Sequence, residues 1–100
     1  MIRREADRLV LSGALTLANV AADFGSGMAA IADGVRSVDL AEVGELDSSA
    51  LALLLAWLRE ARRLGRELVF TNLPQGLTTI AQLYGVAELL PATPASAAHH

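Results

Sequence analysis

Apolar positions along this chain alternate between two spacings. Short apolar runs bounded by turn residues predict strands at Ile2 to Glu5, Leu9 to Leu11, Val35 to Leu40 and Glu67 to Thr71. The turn Ala6-Asp7-Arg8 joins the first two, Ser12-Gly13 is expected to end the second, and Asp33-Gly34 leads into the third. Between the runs, apolar residues recur every three or four positions and predict helices. Thr16 is placed to cap a helix from about Leu17 to Ile31, with Phe24, Met28 and Ile31 turned to the core. Gly25 and Gly27 each cost roughly 1 kcal/mol relative to alanine and are expected to loosen its middle. A second helix spans Ser48 to Leu64 and ends at Gly65. A third starts near Pro74 and runs to Tyr84, with Leu77, Ile80, Ala81 and Tyr84 on one face and Gly85 as its stop. Val86 to Leu90 closes the core. Strands alternating with helices define an α/β domain: a mixed four- to five-stranded sheet packed with about three to four helices.

The Ser48–Leu64 helix shapes the functional reading. At 100° per residue Leu51, Leu54, Leu55, Leu58 and Ala61 share the face that packs on the sheet, while Leu53, Trp57 and Leu64 occupy an adjoining flank. The apolar arc is wider than a core-facing stripe requires. Two readings of the extra flank stay open: the first helix or the C-terminal segment buries it, or it is a docking surface with Trp57 as an anchor.

Composition narrows the classes. One hundred residues suffice for one domain and one core. The hydrophobic share of 53% is high and the charged share of 19% low, so a partner is expected to cover part of the apolar surface. No apolar run is long enough for a membrane span and no signal peptide opens the chain, so a soluble cytoplasmic protein is expected. The absence of cysteine suits a reducing compartment. All eight basic residues are arginines, and the net charge is −3. Arg59, Arg62, Arg63 and Arg66 cluster, but Glu60 and Glu67 are interspersed and aromatics are few, which argues against nucleic-acid binding. With no lysine and no phosphate-cradling glycine spacing, the chain is not a P-loop ATPase. Residues 1–91 form the expected single domain. From Pro91 onward Pro, Ala, Ser and Thr dominate, and residues 92–100 are expected to be a disordered tail in which His99 and His100 are native or tag residues and a poor metal site.

Candidate chemistry gathers before the second helix. Asp47 is a good N-cap and Ser48 falls at the first helical position, beside the positive end of the helix dipole. Glu42, Glu45 and Asp47 are expected on an exposed loop, where carboxylates could suggest acid–base work or a divalent cation. The solvated loop with a helix cap is the preferred reading, because no histidine or lysine completes a catalytic or metal site.

The order Val38-Asp39-Leu40, a short loop, Leu46-Asp47-Ser48-Ser49-Ala50-Leu51 and a leucine-rich helix resembles the signature of STAS domains, the sulphate-transporter and anti-sigma-factor-antagonist family. Leu51-Ala52-Leu53-Leu54-Leu55, Ile80-Ala81-Gln82-Leu83-Tyr84-Gly85-Val86 and Leu89-Leu90-Pro91 are similar to the MlaB branch, the cytoplasmic STAS subunits of Mla phospholipid ABC transporters. The similarity runs from about Leu9 to Pro91. It implies a STAS-like fold and a non-enzymatic, cofactor-free module that docks on an MlaF-like ATPase subunit within a complex containing a permease. The module would lie at the cytoplasmic face of the inner membrane without inserting, and could pair as a homodimer when isolated. The implied partner-binding residues are Glu45, Asp47, Ser48, Ser49, Leu53 and Trp57, and the resemblance favours the docking reading of the Trp57 flank. The alternative it implies is an anti-sigma-factor antagonist phosphorylated on Ser48. Many antagonists carry glycine after the serine pair, where this chain has Ala50.

Overall fold

The computed structural model describes residues 1–90 together with 92 and 93. Ile2–Glu5 (β1) and Arg8–Leu15 (β2) form an antiparallel hairpin. Val20–Ala32 (α1), Ser37–Leu46 (β3), Ser48–Arg63 (α2), Val69–Thr71 (β4), Gln75–Leu83 (α3), a 3-10 turn at Ala87–Leu89 and Ala92–Thr93 (β5) follow. The strands lie side by side in chain order, and every pair after the first is parallel. Right-handed crossovers between strands added in one direction put the connecting helices on one face of the sheet. There α2 packs between α1 and α3. The result is the expected α/β architecture, a four-stranded mixed sheet extended by the two-residue β5. Ala92 and Thr93, read as tail residues from the sequence, pair with Phe70 and Thr71; 94–100, with His99 and His100, lie outside the described residues.

Two strands are longer than the sequence predicts. β2 does not stop at Ser12-Gly13, and the segment Ala41–Leu46, expected as a loop, is the second half of β3. The two extensions pair in parallel through Ser12 with Glu42, Gly13 with Val43 and Leu15 with Leu46. Pairing supplies backbone partners that isolated polar segments would lack. Gly13, at φ 80°, sits between two register irregularities, so the residue read as a break is part of a bulged strand. Helix α1 also starts later than predicted. The backbone N–H groups of Asn19 and Val20 donate to the Thr16 carbonyl at 2.8 and 3.0 Å, and this turn moves the helix start to Val20. β4 begins at Val69, two residues after the predicted Glu67.

The core lies between the sheet and its helices. Leu9, Leu11, Val38, Leu40 and Phe70 from the strands meet Ile31, Leu51, Leu54, Leu58, Ala61, Leu77 and Ala81. Tyr84 does not join them; it is 63% exposed, because α3 ends at Leu83 and the chain reverses at Gly85, φ 71°. The opposite face of the sheet carries charge. Arg3 pairs with Glu5 and Glu42, and Arg8 with Glu5 and Asp39. These side chains cover Val10, which is 2% exposed, with their aliphatic stems.

Candidate functional site

The site is the junction where β3 ends, Asp47 intervenes and α2 begins. Asp47 has an extended backbone, and its Oδ1 accepts a hydrogen bond from the Ser49 N–H at 2.8 Å. Its Oδ2 accepts from the Leu17 N–H at 3.1 Å, and its own N–H donates to the Leu15 carbonyl at 3.2 Å. One carboxylate therefore caps α2 and pins the segment entering α1. The bonds from Leu17 and then Ser49 hold its pKa below the ordinary aspartate value. Ser48, at the first helical position, is exposed. Its hydroxyl makes no hydrogen bond among the described residues and points into solvent beside the positive helix end. Glu45 is exposed as predicted, though on a strand rather than a loop. The carboxylates of this region do not converge: Glu42 pairs with Arg3 on the back of the sheet, while Asp47 is committed to backbone donors. Among the described residues no group of three or more metal-ligating side chains comes together.

Leu53 and Trp57 require a correction. Trp57 is fully buried and Leu53 is 3% exposed, so neither presents an exposed docking flank. The cause is Gly27. Its missing side chain lets α1 lie directly on the indole; a Cβ there would fall within 3.0 Å of Cε2, Cζ2 and Nε1 of Trp57. The indole N–H donates to the Phe24 carbonyl at 3.1 Å, which ties the two helices together. The residue that sequence reading counted against α1 is the one that lets α1 pack.

The apolar surplus emerges instead one step toward solvent. Between the first turns of α1 and α2 lies an open groove of about 490 Å³, lined by Leu17, Val20, Phe24, Ser49, Ala52 and Leu53 among others. Leu17 is 76% exposed and Phe24 42%. Leu53 forms the floor, and Ser49 joins the groove to Ser48. Sequence reasoning missed Leu17 and Phe24, because it placed the first in a capped helix and the second in the core. The available signal was Gly27, a helical glycine that can face a large partner side chain.

A capped helix start with a free serine thus sits on three helices packed against one face of a mixed sheet. The family model described as "Mlab, STAS domain" matches residues 2–91, and the chain belongs to that family. Among solved structures, the Acinetobacter MlaFEDB complex in its ATP-bound conformation contains a chain 27% identical to this one, at a TM-score of 0.80 over 93% of this chain and 99% of that one. A putative anti-sigma factor antagonist from Thermotoga maritima shares 14% identity at a TM-score of 0.74, covering 99% and 90% of the two chains. The phosphorylated Bacillus cell fate determinant SpoIIAA shares 18% at a TM-score of 0.69, covering 99% and 93%. The last two likenesses describe the fold alone. No curated protein sequence matches the chain.

Proposed function

We propose that this protein is the small non-enzymatic STAS subunit that binds the ATPase of an Mla-type phospholipid-transport ABC complex, and that it stabilises or regulates that ATPase. The observation that carries the reading is the open apolar groove between α1 and α2, running up to the exposed Ser48 and the half-buried Asp47. An apolar trough bordered by a fixed polar end suits a protein partner that brings one anchoring side chain and one polar contact. Leu17, Phe24, Ala52 and Leu53 form the apolar part, Ser48, Ser49, Asp47 and Glu45 the polar part, and Trp57 supports both from beneath. The 27% identity to a chain of the MlaFEDB complex supports this partner class. No described helix is long and apolar enough to cross a membrane, and the subunit would reach the cytoplasmic face of the inner membrane through its partner. Regulation requires unequal affinity for two ATPase conformations, since equal affinity shifts neither.

Co-expression with an Mla-type ATPase subunit from the same genome tests the reading. Tagged wild-type chain retains the ATPase, whereas a Ser48→Arg, Ala52→Arg variant with an unchanged thermal melt does not. Retention by the folded variant overturns the proposed face.

The free Ser48 hydroxyl supports a second reading, a phosphorylatable antagonist. Phosphate there would add nearly two negative charges beside Asp47 and Glu45. Intact mass after incubation with an anti-sigma kinase discriminates: a single phosphate that disappears in Ser48→Ala favours this second function.

A further inference from the structure

The described ion pairs sort the arginines unevenly. Arg3, Arg4, Arg8 and Arg63 are each held by a carboxylate. Arg66 bends across the surface onto α1, donating to the Ile31 and Ala32 carbonyls at 2.7 Å each, where it caps the C-terminal end of the helix. Arg36, Arg59 and Arg62 are exposed and their side chains have no ion-pair or hydrogen-bond partner among the described residues; of these three, Arg59 and Arg62 share one element, α2. The mixed cluster read from the sequence thus resolves into two free guanidinium groups on one face of α2, since Glu60 is taken by Arg63 at 2.6 and 2.9 Å.

These two lie in line with the groove. Ala52 and Arg59 are two turns apart on the outer ridge of α2, with Leu55 and Arg62 alongside. Arg59 and Arg62 also edge a depression of about 240 Å³ whose other walls are Leu55, Leu58 and Leu89. The ridge is therefore apolar in its first half and cationic in its second, on a chain whose net charge is −3. We infer that Arg59 and Arg62 extend the docking surface along α2 and receive an acidic segment of the partner protein, with carboxylates spaced to meet two guanidinium groups one helical turn apart. This rests on the docking role of the groove and adds the partner's chemistry. The planar arginine fork suits a carboxylate. Apolar walls beside the charges suit a folded protein surface, and two cations, one of them sharing a depression with Glu67, form a weak site for an anionic bilayer.

Affinity of the full chain for the purified ATPase subunit, measured across a salt series with wild type and Arg59→Glu, Arg62→Glu, tests the inference. The charge-reversed variant is expected to bind about tenfold more weakly at low salt, with the gap shrinking toward about twofold at high salt, because screening removes rim attraction. A reciprocal acidic-to-arginine change in the partner restores binding. If the variant binds as wild type does with the same salt slope, the arginine pair has no such role and the groove reading survives. If wild type fails to bind the ATPase at all, the functional reading falls and takes this one with it. Vesicles containing anionic phosphatidylglycerol provide the remaining arm: binding by wild type that the variant loses would assign the pair to lipid and overturn the protein partner.

Discussion

Adding one methyl group at two positions in the same helix should change stability in opposite directions. Gly25 and Gly27 both lie inside α1, and alanine in a helix is favoured over glycine by up to about 1 kcal/mol. At Gly25 nothing lies within 4 Å of an added Cβ, so the propensity gain is realised in full. Gly25→Ala is expected to raise stability by about 0.5–1 kcal/mol, or about 2–8 °C in Tm for a domain of this size. At Gly27 the methyl group would enter the space of the indole, within 3.0 Å of Cε2, Cζ2 and Nε1. The indole cannot step aside easily, because it is fully buried and tied by its N–H to the Phe24 carbonyl. Overpacking of a filled core costs about 1–3 kcal/mol, and stretching that hydrogen bond adds about 1 kcal/mol. Against the propensity gain, Gly27→Ala should lose about 1–3 kcal/mol, a fall of about 5–20 °C. Thermal melts followed by circular dichroism measure both variants, and the single tryptophan gives a second readout, since its emission shifts red if α1 lifts away. A Gly27→Ala protein as stable as wild type, with unshifted emission, would refute the packing argument. So would equal destabilisation by both changes, which would mean the cost lies in the backbone of α1 rather than in contact with Trp57.

Asp47→Asn should melt below wild type at pH 7, because asparagine keeps one acceptor but loses the charge that strengthens the bonds from Ser49 and Leu17. The folded-state pKa of Asp47 is lowered, so its contribution is present above the unfolded pKa and is lost as pH falls through the folded one. The gap should therefore narrow as pH falls below the unfolded aspartate value of about 3.9, and a gap that stays constant through the acid range would show that charge plays no part. Trp57→Ala, which removes a fully buried indole, should cost about 3–5 kcal/mol of a stability of about 5–15 kcal/mol, measured by chemical denaturation; a mild loss would mean the site collapses around the cavity. Ala56→Leu should fill part of the groove from its wall, leave Tm unchanged or slightly raised, and abolish ATPase retention in a pull-down. Retention at the wild-type level would place the docking surface elsewhere.

What the sequence revealed follows the range of the interactions involved. The Asp47 cap, the start of α2 at Ser48 and the stop at Gly65 depend on neighbours within a few residues, and all stand where the local chemistry puts them. The second halves of β2 and β3 were illegible because Ser12, Glu42 and Glu45 are poor strand formers taken singly; they are extended only because the two segments pair with each other. Thr16 reads as a helix cap on local grounds, yet the Leu15–Leu46 pairing and the bond from Leu17 to Asp47 tie the chain down on either side of it, and a separate turn closed onto the Thr16 carbonyl puts the helix start at Val20. The burial of Trp57 could not be read from α2 alone, since it depends on an absent side chain in another helix.

That absent side chain also explains why the surplus apolar surface moved rather than vanished. A helix can turn one face inward, and in α1 close contact with Trp57 gives that place to Gly27 and Ile31. Phe24 falls on the same stripe, about 20° from Ile31, but it sits near the start of the helix, where it edges the groove and stays 42% exposed, while Leu17 precedes the helix and is held at its mouth through Asp47. On the facing helix the corresponding positions are Ala52 and Ala56, too small to cover them. A leucine at either alanine would bury more surface within the monomer, so the small residues sacrifice self-packing to keep the trough open. A domain of this size gains stability from every apolar contact it can make internally. Leaving Leu17 and Phe24 uncovered beside a free serine is thus a cost that docking would offset, and the packing of Gly27 on Trp57 sets the shape of the surface proposed for it.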